Sequence, residues 1–140
     1  MIRRLVLPYP ISANRYWISF YAKKLNRVCV GPTGEAKAYK GECGWIAKAA
    51  GYRAPTTNQV AISITLVPKN GIVMDLDNCL KVAIDALNGI VYTDDKQVRE
   101  IHARYGQPDG KGALIVEVTE IPPQQPPMPL PEPELVGGPF

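Results

Sequence analysis

Four stretches of the chain have the pattern of apolar and polar positions expected of β-strands. The clearest is residues 60–66, where Val, Ile and Leu occupy every second position. Residues 2–7, 98–105 and 113–120 are also rich in strand-forming residues, and a turn through Pro108-Asp109-Gly110 joins the last two. The pattern therefore predicts a sheet built from strands that come from both ends of the chain.

A further pair of strands is predicted near the N-terminus. Residues 16–21 and 27–30 are rich in aromatic and β-branched side chains, which favours a β-hairpin that turns across Lys23-Lys24-Leu25-Asn26. We expect the aromatic side chains to form one face of a strand that packs into the core. Stacking on unpaired DNA bases is the alternative interpretation.

Helical signals lie between the strands. Thr33 is a suitable N-cap for a helix that runs to about Ala50, with Gly51 as its stop. A second helix is predicted over residues 78–88, with Asp77 at its N-cap. The sequence therefore predicts an α+β fold, a mixed sheet with two helices in one domain. The predicted inner stripe of the first helix is Ala36, Tyr39, Cys43, Ile46, Ala47 and Ala50, and that of the second is Leu80, Ala83, Ile84 and Leu87.

The composition changes after residue 121. Eight of the last nineteen residues are proline, which excludes a sheet or helix there and favours an extended polyproline conformation. We therefore expect a folded domain over residues 1–121 and a proline-rich extended tail over residues 122–140.

Overall composition narrows the class of protein. A hydrophobic content of 46% with 21% charged residues is typical of a globular chain, and no apolar run approaches the roughly 20 residues of a membrane span. Three cysteines without a CxxC pair indicate neither a disulfide framework nor a zinc site. These features predict a cytoplasmic protein with no membrane partner.

The net charge of +3 conceals an asymmetry along the chain. Residues 1–70 carry eleven Lys or Arg against two Glu, whereas residues 71–121 carry five basic residues against nine acidic ones. A basic half can meet a polyanion while an acidic half attracts cations. An ordinary solvated surface would explain the same numbers.

The acidic half contains two carboxylate motifs. Asp75 and Asp77 flank an apolar residue just before the second helix, and Asp94-Asp95 follow the apolar residues 90–92, which read as a short strand. A strand that leaves this turn can bring one of its carboxylates beside the first pair. Such a cluster suits Mg²⁺, which prefers carboxylate oxygens, and metal-assisted phosphoryl chemistry. Separate capping and turn roles for these aspartates are the alternative.

The motifs together resemble the RusA family of Holliday junction resolvases. The resemblance rests on Asp75-Leu76-Asp77-Asn78, Lys81, Asp85-Ala86-Leu87 and Asp94-Asp95-Lys96-Gln97-Val98. It is extended by Leu7-Pro8-Tyr9-Pro10, Asn14-Arg15-Tyr16-Trp17 and Gly34-Glu35-Ala36-Lys37-Ala38-Tyr39-Lys40, so it covers most of residues 1–121.

The resemblance implies a homodimeric endonuclease, carried by bacteria or phages, that makes paired nicks across a four-way DNA junction. The implied cofactor is Mg²⁺, with Mn²⁺ able to substitute. The implied metal ligands are Asp75, Asp77 and Asp95, called the aspartate triad below, and the implied functional lysine is Lys81. One departure is the segment before the first aspartate, residues 69–74, which lacks the strongly basic run that family members can carry.

Several basic residues are candidates for DNA contact. Arg15 and Lys69 are the strongest, because one lies in an aromatic and basic segment and the other just precedes the acidic motif. Lys23 and Lys24 in the hairpin turn are further candidates, while His102 is expected to be solvated rather than catalytic. Three other readings remain open: a non-catalytic branched-DNA-binding protein, a different carboxylate-metal hydrolase, and a subunit that acts by pairing through its tail.

Overall fold

The strands from the two ends of the chain meet in one four-stranded mixed sheet, as the sequence predicts. The computed structural model describes residues 2–123. Its elements are β1 (Ile2–Leu7), α1 (Ala13–Tyr16), β2 (Trp17–Ala22), β3 (Arg27–Pro32), α2 (Gly34–Ala49), β4 (Gln59–Val67), α3 (Leu76–Leu87), a 3₁₀ turn (Asp95–Gln97), β5 (Val98–Tyr105) and β6 (Ala113–Ile121).

The sheet has the strand order β1-β6-β4-β5. β6 is antiparallel to both β1 and β4, whereas β4 and β5 are parallel. The predicted turn at 108–110 therefore leads from β5 to a strand two places away rather than to its neighbour. The turn is held against the end of β4, because Asp109 N donates to Pro68 O (3.2 Å) and Gly110 N donates to Lys69 O (3.0 Å).

The two long helices pack on one face of this sheet. Residues that alternate along β4 point into the core between the layers, together with the inner faces of α2 and α3. Thr33 caps α2 as predicted, since its hydroxyl accepts a hydrogen bond from Ala36 N (3.2 Å). Ala50, which the predicted stripe includes, is exposed because the helix ends before it.

The start of α3 differs from the prediction. The helix begins at Leu76 with Asp75 as its N-cap, so Asp77 lies in the first helical turn. Leu76 packs against the core from this first turn, and a carboxylate there interacts favourably with the helix dipole. The two aspartates are therefore held by a helix start rather than by an extended strand.

Residues 90–92 are also not the predicted strand. Ile90 N and Val91 N both bond to Leu87 O, and Gly89 N bonds to Tyr92 O, so the segment closes a turn at the end of α3. Gly89 has a φ of 80°, a conformation that glycine adopts at little cost. Local hydrogen bonds and an isolated parallel bridge between Tyr92 and Thr56 thus take the place of a strand.

The predicted hairpin is confirmed as a separate two-stranded sheet, β2 with β3. It is preceded by the short helix α1, which the sequence pattern does not reveal. Tyr16 is buried and Trp17 packs partly on the core, as expected of the aromatic residues. The same expectation is wrong for Phe20 and Tyr21, which remain about half exposed because the hairpin projects beyond the layers.

No helix within residues 2–123 has the length and apolar character needed to cross a membrane. β6 ends at Ile121, and most of the predicted proline-rich tail, residues 124–140, lies outside the described residues.

Candidate active site

The first candidate carboxylates lie at the N-terminus of α3. Asp75 occupies the N-cap position, but its side chain makes no capping hydrogen bond. Its carbonyl oxygen instead accepts the bond from Cys79 N (3.1 Å). Asp77 is in the first turn, and both side chains are exposed. The carboxylate of Asp75 is therefore available to a ligand rather than used up in capping.

Two tyrosines hold the residue immediately before Asp75. The hydroxyl of Tyr105, at the end of β5, donates to Met74 O (2.9 Å), and Met74 N donates to the hydroxyl of Tyr9 (3.4 Å). Both backbone groups of Met74 are thus fixed by side chains from other parts of the fold. Tyr9 belongs to a segment that the sequence singled out, but no local pattern indicates the role of Tyr105.

The close approach of Gly112 keeps Tyr9 in place. A Cβ at position 112 would lie 2.9 Å from a ring carbon of Tyr9, and the φ of Gly112 is +80°. A larger residue would displace the ring and also strain the backbone. This glycine, which precedes β6, therefore contributes indirectly to the position of Asp75.

The exposed side of α3 carries further charged groups. Lys81 lies one turn after Asp77 and is exposed, and Asp85 lies one turn later and is half-buried. The Tyr16 hydroxyl donates a hydrogen bond to Asp85 Oδ2. Burial and this bond raise the pKa of Tyr16. Asp85, which belongs to the family-like motif, is therefore the best anchored carboxylate on this face.

The second acidic motif has a different role for each of its aspartates. Asp94 is the N-cap of the 3₁₀ turn, where its side chain accepts from Lys96 N (3.0 Å). That bond lowers the pKa of Asp94. The pKa of Asp95 is raised, chiefly by a hydrogen bond to the Asp94 side chain and further by the charges of Asp94 and Asp85. Asp94 thus shapes the turn, and Asp95 presents a carboxylate to solvent.

Gln97 ties this turn to the loop before β4. Its Nε2 donates to Thr56 O (2.7 Å) and Asn58 O (2.8 Å), while its Oε1 accepts from Asp94 N (2.8 Å). The capping box formed by Asp94 and Gln97 closes the turn on itself. The glutamine of the family-like motif therefore fixes the backbone that carries Asp95.

The fold brings Asp95 into electrostatic contact with Asp85. The pKa of the buried Tyr92 is raised by burial and then by the charges of Asp95 and Asp85, so both carboxylates lie near this ring. Asp95 is influenced by Asp94 and Asp85 rather than by the two aspartates at the start of α3. Asp85, on α3, therefore contributes to the electrostatics of the second acidic motif.

The candidate carboxylates do not form a closed metal site by themselves. Within residues 2–123 no group of three or more His, Cys, Asp or Glu side chains is close enough to hold a metal ion. The expected triad is therefore not gathered in this single chain. The chemistry still fits Mg²⁺, which binds through one or two carboxylates and completes its shell with waters and substrate phosphates.

The predicted DNA-contact residues are all on the surface. Arg15 Nη2 pairs with Glu35 Oε2 (2.6 Å), with both side chains more than half exposed. Such a pair contributes little stability and can exchange for a phosphate. Lys69 is exposed at the end of β4, and Lys23 and Lys24 are exposed in the hairpin turn. The exposure predicted for His102 is confirmed: it is exposed on β5.

Comparison with known proteins identifies one family. The family model described as Endodeoxyribonuclease RusA matches residues 8–119, which is most of the chain. The matched region contains the aspartate triad, Lys81, Asp85 and all the predicted DNA-contact residues. No match is found among the curated proteins.

Proposed function

The chain belongs to the RusA family of endodeoxyribonucleases, and from this premise we propose that it is a magnesium-dependent nuclease that resolves four-way DNA junctions by paired nicks. The work of such an enzyme belongs to DNA recombination and repair. The proposed metal ligands are the aspartate triad, with Mn²⁺ able to replace Mg²⁺.

This proposal rests on the carboxylates of Asp75 and Asp95, which are exposed and lie on backbone that other side chains hold in place. Asp75 has no capping bond to satisfy and follows a residue held by two tyrosines. Asp95 follows an aspartate that performs the capping and lies in a turn held by Gln97. The hydrogen bond to the Asp94 side chain, and further the negative charges of Asp94 and Asp85, raise the pKa of Asp95, and a bound cation would relieve the repulsion among these charges.

When bound, Mg²⁺ would supply an activated water and stabilise charge on the scissile phosphate. Lys81 is exposed on the same side of α3 as Asp77, where its ammonium group can neutralise charge that develops on the phosphate. Asp85 is held by Tyr16 and lies near Asp95, so its negative charge favours the retention of a cation there. Arg15 and Lys69 would steady the flanking phosphates.

We propose that the nuclease acts as a homodimer, because a four-way junction offers two equivalent strands. The hairpin of β2 and β3 supports this. Ile18 and Phe20 are exposed on one of its faces, and Tyr21, Val28 and Val30 are exposed on the other. A two-stranded hairpin is marginally stable alone, and apolar patches of this kind mark interfaces. A second copy of the chain is the proposed cover.

The test is cleavage of a synthetic four-way junction, against a linear duplex of the same sequence, with Mg²⁺ and with EDTA. Paired nicks in the junction alone, dependent on Mg²⁺, are expected. Binding without cleavage would favour a branched-DNA-binding protein. Hydrolysis of a phosphate ester that is not a nucleic acid, in preference to the junction, would favour a different carboxylate-metal hydrolase.

The dimer has its own test. Val30→Asp places a charge on an exposed apolar face of the hairpin and should convert the protein to a monomer in light scattering. Ile72→Asp is the matched control, because Ile72 is also an exposed apolar residue but lies in the segment before α3. A dimer that survives Val30→Asp would place the interface elsewhere.

A further inference from the structure

A cleft of about 510 Å³ opens at the end of the sheet where α2 terminates. This volume is in the range of sites that hold small molecules. Its walls come from β1, β6, the loop after α2 and the turn after α3; the lining residues that matter here are Arg3, Tyr52, Arg53, Thr56, Val91 and Glu120. None of these residues is part of the proposed carboxylate site.

The cleft carries two guanidinium groups. Arg3 lies over the Tyr52 ring, with its guanidinium carbon 4.7 Å from the ring centroid, so the ring helps to fix its direction. Arg53 is exposed in the same wall. Across the described part of the chain neither arginine has a carboxylate within ion-pair distance. Guanidinium groups without a carboxylate partner are suited to a phosphate, which they bind through several hydrogen bonds.

The cleft shares its wall with the backbone that supports the acidic turn. Thr56 N donates to Val91 O (2.9 Å), and Thr93 N donates to Thr56 O (3.2 Å). Thr56 O also accepts from Gln97 Nε2. Thr56 therefore supports both the cleft wall and the turn that carries Asp95. A concave site of about 510 Å³ has room for one nucleotide unit, which a flexible single strand can present.

We infer that this cleft is a second phosphate site, in which Arg3 and Arg53 bind the phosphate of a nucleotide unit in a single DNA strand. Glu120 lines the same cleft, so its carboxylate opposes the phosphate and limits the affinity. The choice of DNA as the source of the phosphate rests on the proposed function, whereas the phosphate chemistry rests on the cleft alone.

The test measures binding of the full-length protein to a short fluorescent single-stranded oligonucleotide in EDTA, so that neither metal nor cleavage contributes. Arg53→Gln should weaken binding about tenfold, the cost of losing one charge-assisted hydrogen bond. Arg3→Gln should weaken it similarly. Arg53 is the sharper probe because Arg3 also faces the C-terminal end of α2, whose partial negative charge it offsets. Circular dichroism of each variant checks that the fold is intact.

Two matched controls separate the cleft from general surface charge. Arg4→Gln removes a neighbouring charge that is exposed on the opposite side of β1, and it should leave binding within about twofold. Glu120→Gln should tighten binding at low salt, whereas Glu117→Gln, exposed on β6, should have a smaller effect.

The outcomes decide the inference independently of the nuclease proposal. Equal losses in Arg4→Gln and Arg53→Gln, or no loss in Arg53→Gln, would overturn it. Competition by thymidine monophosphate and by inorganic phosphate identifies the source. If either competitor displaces the oligonucleotide when its phosphate concentration equals that of the oligonucleotide, the cleft binds free phosphates. The assignment of the cleft to a single DNA strand is then wrong. A chain that fails to cleave junctions can still pass this test.

Discussion

Gln97→Met tests whether the acidic turn is positioned by one side chain. Methionine has a similar length and no charge, but it cannot replace the four hydrogen bonds of the Gln97 amide, which join it to Thr56 O, Asn58 O, Asp94 N and the Thr93 hydroxyl. Because these groups are partly exposed and water can replace some of the bonds, each is taken at the low end, about 0.5 kcal/mol. The expected loss in free energy of unfolding is about 2 kcal/mol, or roughly 7 °C in Tm.

Cleavage should fall further than stability alone explains. The released turn lets Asp95 move, and a displacement on the order of 1 Å at a reacting centre can cost as much as a hundredfold in rate. We expect at least a tenfold loss of junction cleavage at a temperature where the variant is fully folded.

Gln107→Met is the matched control, since Gln107 is exposed and its side chain makes no hydrogen bond within residues 2–123. The assays are thermal unfolding followed by circular dichroism and single-turnover cleavage of the junction. Equal Tm values for the two variants would refute the role of Gln97 in the turn. A lowered Tm with unchanged cleavage would refute the link between the turn and Asp95.

Four further outcomes are expected. Asparagine at any member of the aspartate triad should abolish junction cleavage and leave junction binding intact. Asp94→Asn should have a milder effect, because asparagine also caps turns well. An equal loss of cleavage in Asp94→Asn would contradict the choice of Asp95 as the metal ligand. Mg²⁺ at about 100 times its dissociation constant should raise the free energy of unfolding of the wild type by roughly 2.7 kcal/mol, which thermal unfolding measures. An equal increase in the Asp75→Asn, Asp77→Asn double variant would place the metal elsewhere. Burial raises the pKa of Cys43 to about 11 and of Cys79 to about 12. The free energy of unfolding should therefore fall as the pH rises above about 9, where the thiols ionise in the unfolded chain but not in the folded one. Because the same two thiols are buried, a thiol reagent at pH 8 should label only Cys29 in the native protein, and rapid labelling of all three would contradict this burial. A chain ending at Ile121 should still fold, dimerise and nick junctions in pairs, and a monomer in light scattering would show that the tail takes part in assembly.

The elements of the fold could be read from the sequence because each depends on near neighbours. The alternation in β4 and the Thr33 cap of α2 involve side chains two to four positions apart, and both were predicted correctly. The start of α3 was misplaced by two residues, because Asp75 and Asp77 are both suitable N-caps. Only the packing of Leu76 against the core distinguishes them.

The residues of the candidate site likewise differ in whether a local sequence pattern reveals them. The two acidic motifs and the family that they resemble could be identified from the sequence, and the family match confirms the resemblance. The resemblance implies Asp95 rather than Asp94 as a metal ligand, and that assignment stays a prediction. No role for Asp85 could be inferred from the sequence, although the residue belongs to the family-like motif. Proximity to Asp95 depends on how α3 packs against the turn, and no local pattern encodes that packing.

The contacts between residues far apart in the chain depend on the tertiary structure and could not be read from the sequence. Met74 is held by residues 65 positions before it and 31 positions after it, and the two arginine side chains of the cleft come from β1 and from the loop after α2. The parallel pairing of β4 with β5 is of the same kind. Local propensities fix helices, strands and caps, but the partners of an exposed carboxylate or a cleft arginine depend on how those elements stack, and that is set by the burial of the whole core.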